Sequence, residues 1–243
     1  MLRHAVGLSG GLSYHFKALR HANTRWEPFR ACVRDFLEKK WAPSQRELVI
    51  VGPSAGWTLP LDWLARFDHV VAVEPDPIAA LLLTLRFPRG STTLEIDSSP
   101  ERLPWFNADR ARALPALLEA HPRAAILFAN VMGQIPLLVG EKFEDDASCR
   151  RLFLEALEGR EWASYHDVLS TGAAFRNPFP VATPALELES IAHHYFLGDL
   201  QGDAAVVDHE TLWLSENRNT SFAPWAFEPG RNHLIAFVSP KKP

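Results

Sequence analysis

Three stretches of this sequence hold residue types whose spacing suits chemistry. In the first, Gly52-Pro53-Ser54-Ala55-Gly56-Trp57 follows an apolar run, and Glu74 closes the next such run. A strand that stops at a glycine-bearing turn and opens a helix is a ligand-binding device. The backbone approaches the ligand closely, and the helix N-terminus offers free N–H groups. In a doubly wound sheet the two run ends are neighbours, so a carboxylate at Glu74 can accept hydrogen bonds from both hydroxyls of a ribose. The second stretch is Tyr165-His166-Asp167. A histidine beside a carboxylate can serve as general base on a hydroxyl or amine, which makes His166 and Asp167 the catalytic candidates. Neighbours on a regular strand alternate between faces, so a bulge or loop must bring these side chains together, or one face alone matters. The expectation is that both reach the pocket at a strand end. The third stretch is Tyr14-His15, in a polar, glycine-rich arm from Ser9 to His15 that can close over a ligand as a lid.

Each group also has a plain structural reading. The glycines can serve a tight turn, Glu74 can be a solvated strand end, and the arm can be a mobile terminus. His193-His194 is a poor metal pair, because adjacent residues point apart and no third ligand stands out. No metal is expected.

The elements that must position these residues follow from periodicity. Helical spacing of Phe29, Val33, Phe36 and Leu37 predicts a helix from Trp26 to Trp41, stopped by Pro43 and Ser44. Glu47 to Val51 and His69 to Val73 read as buried strands, Thr92 to Ile96 as a third and Ala124 to Ala129 as a fourth. Thr58 to Phe67 reads as a helix with Pro60 in its first turn. Asp76 is placed to cap a helix that begins at Pro77 and runs to about Phe87. Asp109 to Ala120 and Ala147 to Leu157 are further helices, and Trp162 to Leu169 a fifth strand. Gly172 to Leu186, rich in Pro, Ala and Phe, fits no pattern. Ala204 to Leu214 and His233 to Val238 read as two final strands joined by a long connection. The alternation predicts an α/β fold: a doubly wound, mostly parallel, seven-stranded sheet with helices on both faces. One domain over 1–243 is expected, with an N-terminal arm and helix over 1–45 packing across it.

Bulk composition narrows the classes. The 243 residues carry 25 basic and 29 acidic groups, a net charge of -4, which argues against affinity resting on a phosphate backbone. Cys32 and Cys149 form no CxxC pair and are too few for a disulfide framework. Residues 1 to 24 hold no apolar core of a signal peptide, and no run approaches about 18 apolar residues. A cytoplasmic protein is expected.

Family resemblance enters at the glycine turn. The dinucleotide fingerprint G-x-G-x-x-G would put glycines where Ser54 and Trp57 stand, which disfavours a nicotinamide-dependent oxidoreductase. Leu48-Val-Ile-Val-Gly-Pro-Ser-Ala-Gly-Trp57 instead resembles the first motif of class I methyltransferases dependent on S-adenosylmethionine (SAM), with Ser54 replacing the middle glycine. Val70-Val-Ala-Val-Glu-Pro-Asp76 resembles their second motif. Leu94-Glu-Ile-Asp97 and Ile126-Leu-Phe-Ala-Asn130 resemble the third and fourth strand ends, and Asn232 to Val238 the antiparallel last strand. The resemblance spans roughly residues 26 to 240. It implies a transferase with a Rossmann-like fold and SAM as cofactor, held by Gly52, Pro53, Ser54, Ala55, Gly56 and Glu74. Asp97 would lie near the adenine, and Asn130 near the methionine moiety. The tetrapeptide Asn/Asp-Pro-Pro-Tyr/Phe of many nucleic-acid methyltransferases is absent, and Asn130-Val-Met-Gly133 stands in its place. The implied acceptor is a small molecule, with no nucleic acid and no membrane as partner. A non-catalytic SAM- or nucleotide-binding relative is the alternative.

Overall fold

The structure is a computed structural model and describes residues 11–88, 90–98, 113–134, 147–180, 187–198 and 206–241. The apolar runs Glu47–Val51 and His69–Val73 form β1 and β2, each buried beyond its first residue. Burial on both faces is what a parallel strand covered by helices requires. Thr93–Asp97 (β3), Ala125–Ala129 (β4) and Trp162–Thr171 (β5) complete the parallel set. Arg231–Ser239 (β8) runs antiparallel between β5 and Asn219–Glu228 (β7). The order is β3-β2-β1-β4-β5-β8-β7, and the two-residue strand Val207–Asp208 (β6) pairs with β5 beyond the end of β4. This is the expected doubly wound sheet with its antiparallel last strand. Its direction of winding reverses between β1 and β4, so ligands are expected beyond the carboxyl ends of those strands.

Alternation along β1 divides the core. Leu48 and Ile50 join a cluster with Trp26, Phe29, Leu37 and Trp63, while Val49 and Val51 join one with Leu117, Phe128 and Phe153. The first cluster belongs to Gly11–His21 (α1), Glu27–Asp35 (α2) and Leu61–Leu64 (α3). The second belongs to Ala113–Ala120 (α5), Ala147–Ala156 (α6) and Leu188–Tyr195 (α7). Pro77–Arg86 (α4) follows β2. The N-terminal helices are tied to the C-terminal strands through Trp26 Nε1, which donates to the Phe227 carbonyl at 2.7 Å. The Trp26 to Trp41 helix continues past α2 as a π-helical turn, Phe36–Trp41.

Four expectations change. The Ser9 to His15 arm is helical from Gly11 onward, because His15, Ala18 and Ala22 supply a buried stripe at helical spacing; Ser9 and Gly10 lie outside the described residues. The Thr58 to Phe67 helix contracts to α3, since Pro60 is extended (ψ 91) and caps it from outside. Ala204 and Ala205 lie outside the described residues, and Val206 to Leu214 is no continuous strand: left-handed Glu210 (φ 53) follows β6, and Leu212–Ser215 form a 3-10 turn. The long connection is instead β7, whose Pro224 is tolerated because β7 is the edge of the sheet. The Asp109 to Arg112 portion of the fifth helix and positions 181–186 lie outside the described residues. No described helix is long and apolar enough to cross a membrane.

Candidate functional site

The turn after β1 is made of left-handed backbone: φ is +66 at Gly52, +52 at Ser54 and +66 at Gly56. A Cβ on Gly56 would lie 2.8 Å from Leu61 and 3.1 Å from Leu83, so this glycine also permits close packing. The turn is fastened to the next strand end by Glu74. Its Oε2 accepts from Ser54 N at 2.7 Å and its Oε1 from Asp76 N at 3.0 Å. Glu74 is 6% exposed, and burial pushes its carboxyl up to about 7 against the opposing pull of the two N–H donors. Asp76 caps α4 as expected, accepting from Ile78 N at 2.9 Å. Pro53 contributes a carbonyl to Gly56 N at 3.0 Å, and buried Ala55 a carbonyl to Arg86 Nη1. At the β3 end, the Asp97 carbonyl accepts from Glu74 N at 2.9 Å.

Side chains cover this turn. The Arg86 guanidinium lies 3.8 Å over the Trp57 ring, and burial pulls it down to about 10. Trp57 Nε1 donates to His15 Nδ1 at 3.0 Å, and His15 is itself buried. Tyr14 packs on Phe227 and Trp26. The two residues expected to form a lid therefore sit in a packed helix against the turn.

The β4–β5 end is built differently. Asn130 takes a left-handed conformation (φ 57) after β4. Its Oδ1 accepts from Asp167 N at 3.1 Å, and its Nδ2 donates to Asp167 Oδ2 at 3.3 Å. Gln134 Nε2 donates to the same oxygen at 2.9 Å, while His233 Nδ1 meets Asp167 Oδ1 at 2.7 Å. Burial of Asp167 favours the neutral acid, but His233, His209 and Gln134 overcome it and hold the carboxyl down at about 2. A β-bulge explains the arrangement. The register shifts between Asp167 and Leu169, so Asp167 stands opposite Ile235 and Ser170 opposite His233. Without that extra residue, Asp167 and Ser170 would face opposite sides.

His166 points the other way. It is fully buried, its Nδ1 pairs with Ser164 Oγ at 2.7 Å, and burial lowers it to about 4, leaving a neutral ring. The expectation that His166 and Asp167 reach one pocket is corrected: strand alternation separates them. Tyr165, two residues from Asp167, shares its face and bonds Thr58 Oγ1 at 2.9 Å. The two ends of the site meet through Val131, whose side chain lies 2.7 Å from where a Cβ on Gly52 would be.

Sequence reasoning missed His209, His233, Ser170 and Gln134. Ser170 Oγ lies 2.7 Å from His209 Nε2 and 3.1 Å from His233 Nδ1, and His209 Nδ1 meets the Gly133 carbonyl at 3.1 Å. The one available signal was a histidine inside the otherwise apolar run after Asn232. His193 and His194 are exposed on α7. A separate cavity of about 1020 Å³, lined in part by Trp41, Arg160, Trp162 and Arg218, opens at the opposite end of the strands, by the start of β5 and the end of β8.

No family model and no curated protein sequence matches this chain. Among solved structures, it is similar to a SAM-dependent methyltransferase from Anabaena variabilis ATCC 29413, with 15% identity over 94% of this chain and 93% of that one and a TM-score of 0.47. The fold itself is the doubly wound α/β sheet described above, with β8 inserted antiparallel between β5 and β7.

Proposed function

We propose that the chain is a SAM-dependent methyltransferase acting on a small-molecule acceptor. The observation that carries this reading is the Glu74 carboxylate, buried at the end of β2 and hydrogen-bonded to the left-handed turn after β1. A carboxylate has about four acceptor sites, and two N–H groups occupy two of them. The remaining two suit the vicinal hydroxyls of a ribose. Gly52 and Gly56 let Val131, Leu61 and Leu83 close on the turn and supply the left-handed backbone that holds it beside Glu74. These residues fit the adenosine part of SAM, and bound SAM would supply a methyl group already activated on a sulfonium. The chain's own part is then to hold and orient the acceptor and to keep water out. His15, Trp57 and Arg86 cover the turn, so admission of the cofactor requires α1 and the Arg86 side chain to shift. Trp57 stands where a dinucleotide fingerprint needs its third glycine, which disfavours NAD. The charge of -4 favours a small acceptor over nucleic acid.

Calorimetry with SAM, its demethylated product and NAD in parallel tests the reading. Both SAM forms are expected to bind and NAD is not. Glu74→Gln keeps the size but loses charge-assisted bonds, so SAM affinity is expected to fall at least about tenfold in a folded variant. No binding heat from either SAM form at millimolar ligand overturns the proposal.

A further inference from the structure

We propose that Asp167, His209 and His233 form a site for one divalent transition-metal ion of the zinc type, with a coordination position left open beside the end of β4. A ring nitrogen from each histidine and a carboxylate oxygen of Asp167 all lie within 4.8 Å of one another. Two imidazoles and one carboxylate are a ligand set for zinc, cobalt, iron or manganese, and they discriminate against magnesium. Three protein ligands leave a fourth tetrahedral position for water or substrate, the arrangement of catalytic rather than structural zinc.

The surroundings are those of a built site. His209 Nδ1 is engaged by the Gly133 carbonyl at 3.1 Å, which fixes the tautomer that turns the Nε2 lone pair inward. Asp167 Oδ2 is held by Gln134 and Asn130, which aims Oδ1 at His233. Outer partners of this kind orient metal ligands. The bulge in β5 puts Asp167 on the face of His233, and β6 delivers His209 to the same place through His209 N, which donates to the Val168 carbonyl at 3.0 Å. A Cβ on Gly133 would lie 2.9 Å from the Asp167 carbonyl and 3.4 Å from His209 Cβ, so the glycine lets that segment close on the cluster. Trp225 and Phe227 pack on the His233 ring and supply a dry wall.

His233 turns Nδ1 toward the cluster, 2.7 Å from Asp167 Oδ1 and 3.1 Å from Ser170 Oγ, so this nitrogen is the one placed to ligate. The rival arrangement is a hydrogen-bonded chain, Gly133 carbonyl to His209 to Ser170 to His233 to Asp167, complete without metal.

An ion here neighbours Asn130 at the β4 end, where the proposed acceptor would sit. Its chemical class follows: a hydroxyl-bearing acceptor whose oxygen occupies the open position, where the cation lowers its pKa and stabilises the alkoxide. The base that receives the proton is solvent water or buffer. This role, unlike the ion site, rests on the methyltransferase reading.

The experiment uses the full chain stripped with a chelator and titrated with Co²⁺, then Zn²⁺, then Mg²⁺. Expected are visible d–d bands saturating at one Co²⁺ per chain, their loss on adding Zn²⁺, and no response to Mg²⁺. His209→Gln, at the half-exposed ligand, is expected to weaken Zn²⁺ binding by more than about 100-fold, beyond the range seen on losing an outer partner. His166→Gln, on the opposite face, is the control and should bind as the parent does. Absence of Co²⁺ bands, unchanged binding in folded His209→Gln, or equal loss in His166→Gln overturns the site in favour of the hydrogen-bonded chain. SAM calorimetry on the stripped chain separates the two proposals. SAM binding without metal binding overturns the ion site alone, and metal binding without SAM binding overturns the methyltransferase reading alone.

Discussion

At the β1–β2 end of the site one buried carboxylate is met by main-chain N–H groups, those of Ser54 and Asp76. At the β5–β8 end one buried carboxylate is met by the side chains of Asn130, Gln134 and His233. The first holds its geometry through backbone conformation and tolerates change wherever φ is negative. The second holds it through a web in which each member depends on the others. Burial also acts on the two acids in opposite ways. Glu74 is pushed up to about 7 by burial, with the Asp76 carboxylate adding to the rise, whereas Asp167 has His233 and stays near 2. A carboxylate fed by the backbone remains adjustable, and one fed by basic side chains is locked as an anion.

Four changes break or sharpen this contrast. The largest effect is expected from Gly56→Val. A β-branched residue at φ +66 costs about 1–2 kcal/mol in backbone strain, and its contacts with Leu61 and Leu83 add about 1–3 kcal/mol. Urea unfolding should report a loss of about 2–5 kcal/mol; a loss below about 1 kcal/mol would show that the turn yields and is not held by its backbone.

Next is Asp167→Asn. The amide retains the shape but forfeits charge-assisted bonds in a fully enclosed position, for an expected loss of about 3 kcal/mol. Glu74→Gln, measured beside it at pH 5, should lose only about 1 kcal/mol, because a single amide oxygen can still serve one of the two N–H groups. Equal losses would erase the distinction between the two ends.

The third prediction is a pH dependence. The Glu74 carboxyl titrates at about 7 when folded against 4.5 when unfolded, so between those values the folded chain holds more protons. The stabilisation is complete below pH 4.5 and is lost as pH rises through 7. Parent stability should fall by about 2.5 kcal/mol more than that of Glu74→Gln between pH 5 and 8, read from denaturation midpoints. Parallel curves would place the Glu74 pKa in the ordinary range.

The smallest change is Trp57→Phe, which removes the N–H bond to His15 and should lower stability by about 1 kcal/mol. Limited proteolysis should then cut within α1 faster than in the parent. An unchanged rate would mean that the Tyr14 and Trp26 packing alone fixes this helix.

The first end was legible because its parts are consecutive: a run of β-branched residues, a glycine turn, a second run and an acid. Periodicity and turn chemistry are local properties, and they placed β1, β2 and the Asp76 cap to the residue. The second end is assembled from residues 130, 134, 167, 170, 209 and 233. A bulge in β5 and the order in which β8 joins the sheet decide which of them meet. Neither leaves a local pattern, so Tyr165-His166-Asp167 read as one cluster although His166 faces away. In β7, Pro224 hid a strand, because the sequence does not say that this strand has a neighbour on only one side.

That one-sidedness bears on how copies of the chain can assemble. A ten-residue edge strand normally presents a row of unpaired main-chain groups on which a foreign strand can dock. Along the outward row of β7, the Phe222 carbonyl is already taken by the Tyr195 hydroxyl at 2.9 Å. Pro224, two residues on and therefore facing the same way, has no N–H to give. Past the irregularity between Ala226 and Glu228, the Phe227 carbonyl is taken by the Trp26 indole at 2.7 Å. With an acceptor gone, a donor missing and a second acceptor gone, this margin is closed to a further strand, and strand-to-strand pairing between copies has to use the other edge of the sheet, β3.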